Sequence, residues 1–359
     1  MGLPELSFSL KKAAETVATR ISAGAVAMIL RDTKANGIHT INRDGDIPSE
    51  LGAANADAIR RAMVGYINKP AVVYVCVIGA EDEISAGFQA LAAYSYDYLV
   101  GPADISTEDA TALAALVKAQ RVKRYVGKAV LPSTEADYEG VINFDASGIK
   151  VGDKPFTASQ YAGRIAGVLA GTPADCSATY AALPEVTGVD AVEDPDAAVD
   201  AGKLVLIDDG RQVKLGRAVT SKVTLDGGAP ALLKKIKMVA AVDLIRYYAI
   251  TTVEDEYLGK CANTYDNKCV LLTALRGYLQ MLEAQGILAT GSSRAELDSE
   301  SIRAWLLERA SGDAAEFARI KALSDEELRK EDTGSHVFLL LSARLLDAME
   351  DFHIALEAQ

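Results

Sequence analysis

Cysteine is scarce in this chain: four in 359 residues, at Cys76, Cys176, Cys261 and Cys269. None falls in a C-x-x-C pair, so the pattern reads as reduced thiols in a cytosolic fold. Basic charge is also in deficit. Lys and Arg number 37 against 50 Asp and Glu, a formal charge of −13, which argues against a nucleic-acid-binding surface. The three histidines, His39, His336 and His353, are scattered and read as incidental polar residues. No apolar run reaches eighteen residues, so no membrane span is expected. The start lacks a basic segment followed by an apolar core, so no secretory signal is expected. No fixed-period repeat or low-complexity tract is present.

Motifs of catalysis and cofactor binding are missing too. The apolar run at 71–78 is followed by Gly79-Ala-Glu-Asp-Glu. A G-x-G-x-x-G turn is absent there, and the acidic loop would repel a pyrophosphate. Neither a phosphate-binding G-x-x-x-x-G-K-[ST] loop, nor G-x-S-x-G, nor H-E-x-x-H occurs. Cys261 and Cys269 lie eight apart with Asn263 and Asp266 between them, a weak basis for a metal site. Asp190, Glu193, Asp194 and Asp196 lack calcium-loop spacing and read as a solvated loop. No cofactor, metal or catalytic residue is therefore expected. An α/β enzyme or nucleotide-binding protein remains the alternative, favoured only by fold class.

What the chain does have is apolar material for large cores: half its residues are hydrophobic. Its length favours two domains. Apolar runs at 25–30, 71–78, 98–100, 128–131 and 141–144 alternate with helical patterns, which predicts an α/β layer with a mixed, largely parallel sheet flanked by helices. Residues 32–50 are turn-rich and read as a loop or small hairpin. Residues 204–207 and 213–215, around Asp209-Gly210, carry a hairpin signal. The Gly227-Gly228 and Pro230 break suggests a boundary near 225. The expected organisation is an arm at 1–20, an α/β domain at 21–225, a second α/β domain at 226–346, and an arm at 347–359. In the second domain, helices are expected at about 268–285 and 299–310, with a strand at 337–341.

Both ends alternate with strict period two, the mark of a half-buried strand. Leu6, Phe8 and Leu10 share one face near the start, and Phe352, Ile354 and Leu356 share one near the end. Neither segment has a hairpin partner beside it. Each must join a sheet of its own chain or of another copy, and strand addition to a neighbour is one outcome.

Two internal features stand out. Thr157-Ala-Ser-Gln160 has the form of a capping box, and the helix behind it carries Gly163, Gly167 and Gly171 at four-residue intervals. Glycine costs about 1 kcal/mol against alanine in a helix, so three on one ridge imply close backbone packing, within the fold or between subunits. Lys234, Lys235 and Lys237 form a short basic run. It reads as a solvated face or as an electrostatic contact with an acidic neighbour subunit or inner partner.

Several stretches resemble phage tail sheath proteins from Gram-positive hosts. They are Gly2-Leu-Pro-Glu-Leu-Ser-Phe-Ser with Ala25-Val-Ala-Met-Ile-Leu30, and above all Tyr161-Ala-Gly-Arg-Ile-Ala-Gly-Val-Leu-Ala-Gly-Thr-Pro173. Ala201-Gly-Lys-Leu-Val-Leu-Ile207, Asn263-Thr-Tyr-Asp-Asn-Lys268 and Thr333-Gly-Ser-His-Val-Phe-Leu339 follow in order. The tracts at 246–252 and 268–280 match only loosely, and the loop at 32–50 is too short for an extra outer domain. The resemblance implies a structural subunit of a contractile sheath, in a virion tail or phage-tail-like particle assembled in the host bacterial cytoplasm, with the sheath of a non-viral secretion or bacteriocin machine as the alternative. Copies would stack as six-membered rings around an inner tube and contract to drive it through a cell envelope. The implied partners are the chain itself, a tail tube protein, and baseplate and tail terminator proteins, with neither nucleic acid nor membrane insertion. Residues 3–10 and about 350–357 would exchange strands between subunits, with flexible joints near 11–20 and 346–350.

Overall fold

A computed structural model describes residues 23–123, 126–225 and 231–356. It divides into two compact units. The first runs from the first described residue to Tyr247 and takes up the chain again at Asp347; the second is Tyr248–Leu346. The sequence break at Gly227, Gly228 and Pro230 lies outside the described residues, and the division falls further on, inside a continuous helix, Ile236–Thr252.

The first unit is built on β1 (Ala25–Arg31), β2 (Gly37–Ile41), α1 (Ala53–Val64), β3 (Val72–Ile78), α2 (Ile84–Leu91), β4 (Tyr98–Val100), α3 (Thr107–Lys123), β5 (Lys128–Pro132) and β6 (Val141–Phe144). The small hairpin β7 (Ile149–Val151) and β8 (Lys154–Phe156) follows, then α4 (Ala158–Ala170), α5 (Pro195–Asp200), β9 (Lys203–Leu204), β10 (Leu206–Asp208), β11 (Val213–Leu215) and α6 (Ile236–Thr252). Seven strands form one sheet in the order β2-β3-β1-β4-β5-β6-β9. All pairs are parallel except β2 with β3.

The central strands β1, β3 and β4 are almost wholly apolar because helices cover both faces. Val26, Met28, Leu30, Val73, Val75 and Val77 face one core, which α1 and α4 complete through Ile59, Ala62, Ile165 and Val168. Ala27, Ile29, Cys76 and Ile78 face the other, closed by Phe88, Leu91, Leu113 and Val117 of α2 and α3.

The turn-rich tract at 32–50 holds more structure than expected. Gly37–Ile41 is the antiparallel edge strand β2, with Ile38 opposite Cys76 and Thr40 opposite Tyr74. The hairpin signal at 204–215 resolves into two duties: β9 extends the main sheet beside β6, and β10 alone pairs with β11.

Glycines explain the placement of α4. Thr157 caps it, accepting from Gln160 N–H while the Gln160 side chain accepts from Thr157 N–H. A Cβ on Gly167 would stand 2.1 Å from the Ala62 carbonyl oxygen, and one on Gly171 2.1 Å from that of Asn68. The close approach is thus within the fold, against α1 and the turn after it; Gly163 meets the Met28 side chain. Arg164 is buried in this helix, its charge met by Glu185 at 2.6 Å and by the Gly65 carbonyl at 2.6 Å.

The second unit contains α7 (Tyr265–Ala284), β12 (Arg294–Leu297), α8 (Ser299–Arg309), α9 (Ala314–Ala322), α10 (Asp325–Leu328) and β13 (Leu339–Ser342). β12 and β13 form a two-stranded antiparallel sheet, prolonged by the bridge of Leu288 with Leu345. Leu271 and Leu275 of α7 pack with Ala295 of β12 and with Tyr248, Val253 and Tyr257. Ile302, Leu306, Ile320 and Leu328 make a second small core, beside which Trp305 packs.

Candidate functional site

The C-terminal alternation is exposed. Phe352 is 69%, Ile354 88% and Leu356 90% accessible, and residues 352–356 lie outside helix and strand. Within the described part of its own chain, this apolar stripe has no sheet to cover it. The matching residues near the start, Leu6, Phe8 and Leu10, lie outside the described residues.

The base of the segment is held firmly. The Glu350 side chain is 6% exposed. Its carboxylate accepts from Thr179 Oγ1 at 2.7 Å, Ser177 Oγ at 2.9 Å and Lys235 Nζ at 3.0 Å. Lys235 also reaches Asp347 at 2.5 Å, and Arg217 pairs with Asp351. Burial would raise the Glu350 carboxyl, but the bonds from Thr179, Lys235 and Ser177 outweigh it and hold it below the usual carboxylate range. For Lys235, burial works downward, and the bonds to Asp347 and Glu350 lift its ammonium above its ordinary value.

These contacts correct two expectations. The stretch 346–350 is not a loose joint, since Asp347 and Glu350 are bonded to the core; the free part begins after Asp351. Nor do the three lysines form a free basic face. Lys235 is committed to Asp347 and Glu350. Lys237 is buried, donates to the Asp175 carbonyl at 2.8 Å, and has its ammonium lowered by desolvation. Lys234 is half-exposed, and its carbonyl accepts from Thr220 N–H. Sequence reasoning missed Glu350 because its partners at 177, 179 and 235 meet only in the folded chain.

In the second unit, β12–β13 is a sheet of two strands, to which no third is added among the described residues. Along β13, Leu339 and Leu341 are half-buried, while Leu340 and Ser342 are exposed. Paired strands with unfilled edges can accept another.

Other residues singled out in the sequence have structural roles. Asp194 caps α5 through Ala197 N–H, and its acidic neighbours are solvated. His336 packs on Trp305 at 5.0 Å, His39 bonds the Ala35 carbonyl at 2.7 Å, and His353 is exposed. Among the described residues, no cluster of three His, Cys, Asp or Glu side chains could hold a metal, and no helix is long and apolar enough to cross a membrane.

Comparison with known proteins identifies the family. Residues 77–221 match the family of the phage tail sheath protein central domain. The tail sheath protein of Clostridium phage phiCD119 is 30% identical over 363 residues, covering 99% of each chain. Among solved structures, a sheath tail protein from Listeria innocua superposes with a TM-score of 0.69 at 14% identity, over 81% of this chain and 92% of that one. The helical sheath of the anti-feeding prophage, in its contracted state, gives 0.66 at 15% identity, over 94% and 96%. The chain belongs to the phage tail sheath proteins, a structural family.

Proposed function

We propose that this chain is the repeating subunit of a contractile sheath. Copies stack as six-membered rings around an inner tube, and shortening of the stack drives the tube through a cell envelope. The observation that carries this reading is the exposed stripe of Phe352, Ile354 and Leu356 leaving an anchored base at Glu350. Three large apolar side chains, contributing roughly 1.5–3 kcal/mol each on burial, have nothing to cover them within the described chain. Strand addition to a second copy supplies the cover, and the open sheet β12–β13 is a surface suited to accept it. The arm at 3–10 is assigned the same role.

Contraction of such a polymer needs no active site. It needs two packings of the same rigid bodies that differ in free energy, with the higher one held in place by assembly. Partners under this reading are further copies, a tail tube protein, and baseplate and terminator proteins, in a virion tail or phage-tail-like particle. A baseplate association is suggested by the anti-feeding prophage baseplate, whose structure this fold resembles with a TM-score of 0.67 at 13% identity.

The test is negative-stain microscopy of the full chain and of a chain ending at Asp351. The full chain should form tubes or rings of constant width. The shortened one should melt at the same temperature and stay dispersed. Normal sheaths from the shortened chain would remove the arm from the mechanism; dispersed full-length chain would remove the sheath reading itself.

A further inference from the structure

The second unit carries two unlike surfaces, one of them beside strand β12. One is a cleft of about 390 Å³ between α7 and β12, lined by Arg276, Arg294, Arg329, Tyr265, Leu272 and Leu297. Glu296 is the one carboxylate among its lining residues, and it is taken by Arg329 at 3.0 Å. Arg276 and Arg294 are exposed, although the chain as a whole is strongly acidic. The cleft thus joins positive charge to apolar wall.

The other surface is the single π-helical turn Val253–Tyr257 with Leu258 after it. Glu254, Asp255 and Glu256 are all exposed, and Leu258 is 68% exposed. The turn is fixed in shape. Leu258 N–H closes onto the Val253 carbonyl at 2.8 Å, Lys260 Nζ donates to the Asp255 carbonyl, and Gly259 at φ +72° turns the chain back. It is an acidic projection with an apolar tip.

The turn is held against one face of α7. Tyr248, just before the turn, stacks on Tyr278 at 3.7 Å, and Val253 and Tyr257 cluster with Leu271 and Leu275. Thr273 and Arg276, which line the cleft, stand about 100° or more around the helix from Leu271 and Leu275 at about 100° per residue, while Leu272 lies between and touches both the cleft and that cluster.

We infer that the Arg-lined cleft of one copy receives the acidic turn 254–258 of a second copy. Asp255 and Glu256 meet Arg276 and Arg294, and Leu258 meets Leu272. The surfaces are two different patches of one chain, so a contact between them is heterologous and can propagate through a ring or filament. It rests on the proposed self-assembly, but not on the terminal arm. Charge pairing of this kind steers association and weakens with salt.

Charge exchange in the full chain tests it. One variant carries Asp255→Arg and Glu256→Arg, a second Arg276→Glu and Arg294→Glu, and a third all four. Thermal melting establishes that each folds, and sedimentation velocity with microscopy reads assembly. Each two-site variant should need about tenfold more protein, or more, to assemble than the unaltered chain. An equimolar mixture of the two, and the four-site variant, should recover. Assembly of either two-site variant at the unaltered concentration overturns the contact, as does failure of both the mixture and the folded four-site chain to recover. If the unaltered chain does not assemble at all, the sheath reading fails and this contact with it.

Discussion

Thr179 Oγ1 lies 2.7 Å from the Glu350 carboxylate, a bond across 171 residues that pins the end of the chain to the loop after α4. The stripe of Phe352, Ile354 and Leu356 therefore starts from a fixed point and not from a loose tail. A neighbour that captures those residues would be coupled mechanically to the core through Glu350.

The anchor should be separable from the stripe. Hydrogen bonds to a charged group contribute about 1.5–3 kcal/mol, so Glu350→Ala should destabilise the first unit by that order. Amide hydrogen exchange is the sharper readout. Residues 347–351 should exchange faster in the variant, and 352–356, already exposed, should not change. Unchanged exchange at 347–351 would mean that the bonds to Thr179, Ser177 and Lys235 do not hold the segment.

The anchor should also loosen in acid. The Glu350 carboxyl is lowered in the folded chain, so its contribution is complete above the ordinary glutamate range and is lost as pH falls through the lowered value. Lys235 is raised, so its contribution is complete below the ordinary lysine value and is lost as pH rises through the raised one. Protection at 347–351, taken against the intrinsic exchange rate at each pH, should be greatest between these limits and fall at each. In Glu350→Gln the acid-side loss should shrink.

Close packing of α4 gives a prediction with an internal control. A Cβ at Gly167 would meet the Ala62 carbonyl at 2.1 Å, and that atom is backbone, so α1 or α4 must shift. Gly167→Ala should destabilise by about 1–3 kcal/mol, in the range of overpacked cores. Gly277 in α7 has nothing within 4 Å of its Cβ position. Gly277→Ala should stabilise by up to about 1 kcal/mol from helix propensity alone. Urea melts of the two variants should move in opposite directions.

The elements that could be read from the sequence are those whose signal is local. Buried parallel strands leave continuous apolar runs, as at 72–78, and the Thr157–Gln160 box caps its helix where expected. The glycine ridge told of a close backbone, but only the fold tells that it belongs to Ala62 and Asn68. β2 was hidden because Gly37, Ile38, His39, Thr40 and Ile41 form a short edge strand with little apolar content. Lys237 looked solvated because its neighbours Lys234 and Lys235 are charged; its burial follows from lying among Ile236, Met238 and Val239. The apolar alternation of the terminal stripe is plain in the sequence, but the structure has no strand there, and its anchor was hidden because Ser177, Thr179, Arg217 and Lys235 are distant in sequence.

The first turns of α6 are tied to the sheet by buried charge, and this yields the strongest stability prediction. Asp243 is buried and accepts from Arg121 at 2.9 and 3.0 Å and from Lys128 at 2.8 Å. Both cations are buried as well. Burial works against the Arg121 charge, and the Asp243 carboxylate more than offsets it. Asp243→Asn keeps the shape but leaves two buried cations without a counter-charge, which should cost about 3–5 kcal/mol. Adding Lys128→Met removes one uncompensated cation and should recover part of that loss, although it removes a hydrogen bond too. If the cluster acted only through packing, Lys128→Met would make Asp243→Asn worse. Urea melts of the two single variants and the double variant decide between these outcomes, and recovery in the double variant assigns the loss to charge.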